Sequence, residues 1–168
     1  MARRANFGKI RLAVAAWALV ALLMGTLSVR AEGDRVDGRA QVISGDTLVV
    51  AGQRIRLFGI DAPKKGQTCA WPNKTIDCGN IARTALLDLI APVAITCRRR
   101  QANPDGSWIA SCRSEGFDVA TNLVHTGWAV VPPGDPAGLK GIQAKAKAGK
   151  RGLWRGTFEM PRLWRRQQ

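Results

Sequence analysis

Two short segments of this chain carry the side chains best suited to bind ions. Residues 44–47 read S-G-D-T, and residues 56–63 read R-L-F-G-I-D-A-P and are followed by Lys64. A carboxylate such as that of Asp46 can hold a hard cation such as Ca²⁺, and a guanidinium such as that of Arg56 matches the geometry of a phosphate group. Taken alone, however, Asp46 fits an Asx turn and Arg56 fits a solvated strand residue. The two segments by themselves leave both kinds of role open.

Cysteine is the other reactive residue type in the chain. The four cysteines are Cys69, Cys78, Cys97 and Cys112. A zinc site is disfavoured, because no C-x-x-C pair is present and the single histidine, His125, falls on a predicted helix. Two disulfides are therefore expected, with three possible connectivities. The first two cysteines flank a short loop, and the other two each end a strand-like run, so we predict the pairs Cys69–Cys78 and Cys97–Cys112.

The first 31 residues have the pattern of a secretory signal peptide. A basic start is followed by an uncharged, mostly apolar run over residues 12–29 and by a small-x-small site that ends at Ala31. Cleavage between Ala31 and Glu32 predicts a domain over residues 32–168 that is periplasmic or secreted and has no stable membrane insertion. An uncleaved membrane anchor is the alternative, since a run of 18 residues can just span a bilayer.

The part of the chain that follows the signal peptide is strongly basic. Residues 1–31 hold five basic residues and no acid, so their removal changes the net charge from +14 to +9. Such a surplus favours a polyanionic partner, which can be nucleic acid, acidic polysaccharide or a membrane surface, and it does not choose among them. A basic surface that serves only solubility is the alternative. The remaining length suits one compact domain.

Hydrophobic periodicity predicts strands first and helices later in this domain. The predicted strands cover residues 39–43, 47–51, 54–60, 93–97 and 108–112. The predicted helices cover residues 81–90, 119–126 and 139–150, with Asn80 and Asp118 as N-caps of the first two and Gly127 after the second. Residues 63–79 are predicted to form a long loop, and residues 152–164 a basic, aromatic tail without periodicity.

In this order and spacing, the motifs resemble those of the staphylococcal-nuclease (thermonuclease-like) family. Two later patterns extend the resemblance, which runs from about Gly38 to Trp154. They are Leu123-Val124-x-x-Gly127-x-Ala129 and Ala144-x-Ala146-x-x-x-x-x-Gly152-Leu153-Trp154. The resemblance implies an α+β, mainly β fold: a five-stranded OB-type barrel with about three packed helices.

The resemblance also implies a one-metal site for phosphodiester hydrolysis. Asp46 and Asp61 match the metal-binding aspartates, and the backbone carbonyl of Ala62 would complete the set that holds Ca²⁺. Arg56 matches an arginine that neutralises the phosphate in the transition state. Ser44 stands where many family members have a further aspartate.

Two substitutions in that pattern count against catalysis. Lys64 occupies the position of the glutamate that positions or deprotonates the attacking water, and its charge is expected to weaken Ca²⁺ binding as well. Ser107 occupies the position of the second phosphate-binding arginine. Losing a general base typically costs 10²–10⁴ in rate, and losing a transition-state donor costs on the order of 10²–10³. The nearby Arg98, Arg99, Arg100 and Arg113 are candidates to replace the arginine.

Two functions follow from these expectations. The first is an exported, catalytically impaired thermonuclease-like domain that keeps a basic groove for a polyanion. Exported proteins of this kind occur in exopolysaccharide (succinoglycan-type) biosynthesis, so an accessory role there is a concrete form of it. The second is a secreted, Ca²⁺-dependent nuclease that hydrolyses DNA or RNA.

Overall fold

Apolar and polar residues alternate along much of the first half of the domain, and this period selects β-strands. The computed structural model describes residues 33–91 and 93–168, and this part of the chain contains nine strands. They are β1 (Arg35–Gly38), β2 (Ala40–Ser44), β3 (Thr47–Val50), β4 (Gln53–Leu57), β5 (Thr68–Trp71), β6 (Lys74–Asp77), β7 (Ile95–Ala102), β8 (Trp108–Ser114) and β9 (Phe117–Asp118). Leu48 and Val50 of β3 and Ile55 and Leu57 of β4 are buried, whereas Arg56 faces outward. The buried face of the β3–β4 hairpin therefore packs against the hydrophobic core.

Seven of these strands form one curled, mixed sheet in the order β1-β7-β8-β4-β3-β2, with β9 beside β8. β4 and β8 pair in parallel, and the other neighbours pair antiparallel. A single residue, Arg39, separates β1 from β2, although these strands lie at opposite ends of the order. The sheet must therefore curl until its two edges approach each other, as in an OB-type barrel.

Helices cover the open parts of this sheet. The α-helices are α1 (Cys78–Ile90), α2 (Val119–Thr126), α3 (Lys140–Ala148) and α4 (Pro161–Trp164), and two 3₁₀ turns cover Gly152–Arg155 and Arg165–Gln167. α2 has the predicted bounds: the Asp118 carboxylate accepts from the Thr121 N–H at 2.8 Å, and Gly127 ends the helix in the left-handed region. The α+β, OB-type fold expected from the sequence is confirmed, and β2, β3, β4, β7 and β8 lie at the five predicted places.

Two local predictions were wrong. The predicted loop over residues 63–79 contains the β5–β6 hairpin, whose mostly exposed side chains give no apolar face and hence no alternating pattern. Asn73, in the left-handed region at φ 68°, forms its turn. Helix α1 begins three residues before the predicted start, because Asp77 and not Asn80 caps it: the Asp77 carboxylate accepts from the Asn80 N–H at 2.8 Å.

The predicted signal peptide lies outside the described residues, as do its cleavage-site residues Ala31 and Glu32. From Asp34 to Gln168 the chain forms one compact unit. Among the residues that the structure describes, no helix is long and apolar enough to cross a membrane.

Two disulfides join the pairs of cysteines expected from the sequence. Cys69 of β5 is bonded to Cys78 at the start of α1, with 5.7 Å between their Cα atoms. Cys97 of β7 is bonded to Cys112 of β8, which is its partner in the strand register, with 4.1 Å between Cα atoms. The first bond ties the exposed hairpin to a helix of the core, and the second links the two longest strands of the sheet.

Removing the first disulfide is expected to destabilise the folded protein by about 2.7 kcal/mol, because the unfolded chain would no longer carry the constraint of that loop. The double change Cys69→Ser with Cys78→Ser tests this in urea unfolding without reductant. Thr75→Ser, an exposed change in the same hairpin, is the matched control and should leave the unfolding midpoint unchanged. An unchanged midpoint in the double variant would contradict the prediction.

Candidate functional site

The Asp46 carboxylate is held in place at the turn between β2 and β3. Its side chain is completely buried. The hydroxyls of Ser44 and Thr47 each donate to Oδ1 at 3.0 Å, and the N–H of Ala62 donates to Oδ2 at 3.2 Å. These three bonds fix the carboxylate, and the last of them joins the two segments that the sequence singled out.

Asp61 is placed next to Asp46 by the chain segment that follows β4. Gly59, in the left-handed region at φ +78°, turns this segment, and a Cβ there would come within 2.3 Å of the Cβ of Ala137. The backbone N–H and carbonyl of Asp61 then pair with Val130 at 2.8 Å each. The Asp61 side chain is almost fully buried. Two ionisable carboxylates therefore lie together in the interior.

Three cationic side chains meet these two carboxylates. The Lys64 ammonium donates to Asp46 Oδ2 and lies 3.7 Å from Asp61 Oδ1. Arg56 Nη2 donates to Asp61 Oδ1 at 3.1 Å, and its Nε lies 3.8 Å from Asp46 Oδ2. Arg165, from the C-terminal 3₁₀ turn, forms a bidentate salt bridge with Asp61. Its Nη1 donates to Oδ1, and its Nη2 donates to Oδ2 at 3.2 Å. The predicted residues Asp46, Asp61, Arg56 and Lys64 thus form one ion-pair cluster.

The cluster keeps Asp46 ionised although it is buried. Burial is the largest single influence on this carboxyl and opposes its ionisation. The charge and hydrogen bond of Lys64, the charge of Arg56 and the N–H of Ala62 together outweigh burial, so the pKa of Asp46 lies below its ordinary value of 3.8. The stability that this pairing contributes is therefore present above pH about 4 and is lost as the pH falls through the folded-state pKa.

A cavity of about 470 Å³ opens beside the carboxylates. Its charged lining consists of Asp61 and four arginines, namely Arg56, Arg100, Arg162 and Arg165, and its apolar lining includes Phe58, Ile109, Pro132 and Pro136. The guanidinium carbon of Arg100 lies 5.7 Å from the Phe58 ring centroid, and its Nε donates to Ser111 Oγ at 3.0 Å. The cavity therefore combines a basic rim with apolar walls.

Ser107 does not reach this cavity. Its hydroxyl donates to Asp105 Oδ1 at 2.7 Å and accepts from Asn103 Nδ2 at 3.0 Å, within the turn between β7 and β8. Of the four arginines proposed from the sequence as replacements, Arg100 lines the cavity. Arg99 instead pairs with Asp34, which directly precedes the edge strand β1.

The sequence did not identify two positioning features of the site. The tail that supplies Arg162 and Arg165 has no periodicity, and its basic composition was the one available signal. Gln67 is fully buried and connects the Lys64 segment to this tail: its Oε1 accepts from the Lys64 N–H at 3.3 Å, and its Nε2 donates to the Glu159 carbonyl at 2.7 Å.

Comparison with known proteins gives the family of this chain. The sequence profile described as "Staphylococcal nuclease homologue" matches residues 54–156. The chain belongs to the staphylococcal nuclease homologue family. One relative, the "Succinoglycan biosynthesis protein ExoI" of Rhizobium meliloti (strain 1021), is 35% identical over 147 residues, which cover 84% of this chain and 75% of the relative.

Two other relatives of this chain carry a different description. Each is named "Uncharacterized endonuclease", one from Escherichia coli O157:H7 and one from Escherichia coli. Both are 28% identical over 142 residues, which cover 79% of this chain and 87% of the relative. The names of the relatives thus include both a polysaccharide pathway and a nuclease.

The cationic neighbours of Asp46 and Asp61 compete with the Ca²⁺ ion that this family implies. Ca²⁺ takes six to eight oxygen ligands, whereas Asp46 and Asp61 supply two carboxylates, both of which are paired with basic side chains. The Lys64 ammonium already contacts both carboxylates. A divalent ion between Asp46 and Asp61 would face the fixed positive charges of Lys64, Arg56 and Arg165 at short range. The weak Ca²⁺ binding considered from the sequence, with the carbonyl of Ala62 as a ligand, stays a prediction.

The Lys64 segment depends on a close approach to α1, which yields a stability prediction. A Cβ on Gly79 would lie 1.8 Å from the Lys64 carbonyl oxygen. Gly79→Ala is therefore expected to displace that segment and to destabilise the protein by about 1–3 kcal/mol, as overpacking does. Gly141 is the matched control, because it also lies in a helix but has open space around it. Gly141→Ala should be neutral or slightly stabilising, and equal unfolding midpoints for the two variants would contradict the prediction.

Proposed function

We propose that this chain is an exported, catalytically impaired member of its family that binds an acidic polysaccharide through the basic cavity. The observation that carries the proposal is the contact of the Lys64 ammonium with both Asp46 and Asp61. A built-in cation thus stands between the two carboxylates that would otherwise be available to a metal. The protein keeps the architecture of the family site and uses it to hold positive charge.

The same contacts argue against efficient hydrolysis of phosphodiester bonds. A charged ammonium at position 64 cannot accept a proton from water. Asp46 is a poor substitute base, because its pKa lies below the ordinary value and four hydrogen-bond donors hold it as an anion. These donors belong to Ser44, Thr47, Ala62 and Lys64. Ser107 cannot offer a guanidinium fork to a phosphate. Turnover is therefore expected to be low.

Positive charge exceeds negative charge around the cavity, which supports an anionic ligand. Asp61 is the acid among the lining residues, and four arginines accompany it. Phe58, Pro132 and Pro136 add apolar walls, against which the ring of a sugar can pack while its carboxylate meets an arginine. The relative named for succinoglycan biosynthesis supports a polysaccharide as the polymer.

Export is the remaining part of this proposal. Its support is the signal-peptide pattern of residues 1–31 and the two disulfides, which persist in oxidising compartments. The periplasm or the exterior of the cell is also where an acidic exopolysaccharide would be met.

A binding experiment tests the proposed function. Fluorescence anisotropy with a labelled oligogalacturonate is expected to show binding that weakens with salt and is unchanged by Ca²⁺ or chelator, whereas a single-stranded oligonucleotide of matched charge binds more weakly. Arg100→Gln should weaken oligogalacturonate binding by about tenfold, the equivalent of one charge-assisted contact. Arg98→Gln, an exposed change on the same strand outside the cavity lining, is the matched control. Absence of binding, or equal effects of the two variants, would contradict the proposal.

A Ca²⁺-dependent nuclease is the second candidate. It is favoured by the two relatives named as endonucleases and by the proximity of Asp46, Asp61 and Arg56. Cleavage of DNA by the wild-type protein that requires Ca²⁺ and is abolished by Asp46→Ala would favour this candidate over the first.

A further inference from the structure

We infer that the C-terminal tail, residues 157–168, forms an oxyanion-binding subsite of the cavity through Arg162 and Arg165. The tail lies beyond residues 54–156, which the family profile matches. The inference rests on the proposed function, because it assigns part of the recognition of the acidic ligand to this segment. It places part of the binding site outside the segment that the family profile matches.

The path of the tail is fixed by contacts that do not involve its arginines. Thr157 and Ala70 exchange two backbone hydrogen bonds of 2.9 Å. Gly156 permits this pairing, since a Cβ there would lie 2.0 Å from the Ala70 carbonyl oxygen. The buried side chain of Gln67 donates to the Glu159 carbonyl at 2.7 Å, and Pro161 is buried at the start of α4. The tail is therefore held against the domain by contacts that do not depend on Arg162 and Arg165.

Arg165 keeps part of its binding capacity free. A guanidinium carries five N–H donors, and the pair with Asp61 engages Nη1 and Nη2 once each. The Arg165 side chain remains 34% exposed and lines the cavity. Arg56 donates to the same oxygen, Asp61 Oδ1. Two guanidinium groups thus converge on one side of the cavity.

Arg162 adds a cation without a counter-charge. It lines the same cavity and, within the described residues, forms no salt bridge. Its side chain is exposed. An arginine that lines a cavity with a surplus of positive charge is suited to pair with a carboxylate or phosphate brought by a ligand. In the acidic polysaccharide of the proposed function, this group is the carboxylate of a sugar acid.

Charge-removing variants of the tail test the subsite. Arg162→Gln and Arg165→Gln are each expected to lower the affinity for a labelled oligogalacturonate by about tenfold and to reduce the slope of log affinity against log salt by about one. Arg166→Gln is the matched control: this residue is exposed in the same 3₁₀ turn and lies outside the cavity lining. Arg165→Lys keeps the charge but not the fork, and should also lose affinity.

The outcomes separate the possible explanations. If Arg165 serves only stability, Arg165→Gln lowers the unfolding temperature and leaves the affinity and salt slope unchanged, which overturns the subsite. Equal losses in Arg162→Gln, Arg165→Gln and Arg166→Gln indicate non-specific charge attraction and overturn it as well. If the wild-type protein binds and both tail variants bind equally well, the inference fails and the proposed function stands. If the wild type does not bind the oligogalacturonate, both are overturned.

Discussion

Replacing Lys64 by methionine is expected to destabilise the folded protein by about 3 kcal/mol at neutral pH, the low end of the cost of breaking a buried ion pair. Asp46 is completely buried, and the Lys64 ammonium is its direct charged partner. After the change, Arg56 would remain at 3.8 Å from Asp46 Oδ2, which compensates the charge only in part. Methionine preserves most of the length of the side chain, so the loss of charge and not of packing dominates.

The dependence of this effect on pH identifies its cause. In the variant, burial of Asp46 raises its pKa because the strongest opposing charge is gone. As the pH is lowered, Asp46 takes up a proton in the folded variant, while the wild-type protein loses its ion pair. The difference in unfolding free energy should therefore shrink toward acidic pH, as measured by urea denaturation across a pH series. Lys65→Met, a change at the exposed neighbouring lysine, should have little effect at any pH. A difference that does not vary with pH would contradict the assignment.

The second large effect is a gain of activity. The double change Lys64→Glu with Ser107→Arg is expected to raise Ca²⁺-dependent cleavage of DNA by at least about 100-fold over the wild-type protein, since a general base alone typically contributes 10²–10⁴. Asp46, Asp61 and Arg56 already lie together, so a glutamate at position 64 would add a carboxylate and remove the competing ammonium. A partial gain is expected, because Ser107 lies in a turn outside the cavity lining. An arginine at that position would have to extend from the turn to the cavity to contact the phosphate.

Matched variants decide how such activity arises. The double variant should lose its cleavage when Asp46→Ala is added or when a chelator is present. The single change Ser107→Arg should leave the wild-type level unchanged, because the ammonium of Lys64 remains. If the double variant is no more active than the wild-type protein, positions other than 64 and 107 must also differ from the family site.

The parts of the site that were predictable from sequence are those encoded within one short motif each. Asp46 lies on a two-residue turn between strands, and Asp61 and Lys64 follow the strand that carries Arg56. The resemblance to the family relates these motifs to one another, and the proximity of Asp46, Asp61 and Lys64 follows from it. Helix α2 was predicted to the residue because its cap, Asp118, and its left-handed terminator, Gly127, both act locally.

The parts that were missed depend on contacts between distant residues. Arg165 meets Asp61 across a separation of 104 residues, and no periodic pattern marks the tail that carries it. The β5–β6 hairpin is a two-stranded ribbon held by the Cys69–Cys78 bond, so its strands need no apolar face. Strand β1 contains one apolar residue, Val36, and its position is determined by pairing with β7.

The one-residue link between β1 and β2 has a consequence for the order of folding. β1 pairs with β7, from Arg35 opposite Arg98 to Gly38 opposite Ile95, so the partner of the first described strand lies 57 to 63 residues further along the chain. β2, directly after Arg39, can pair at once with β3 through a short turn. Long-range pairing of this kind slows folding to the range of milliseconds to seconds. The first strand of the described residues is therefore expected to be among the last to join the barrel.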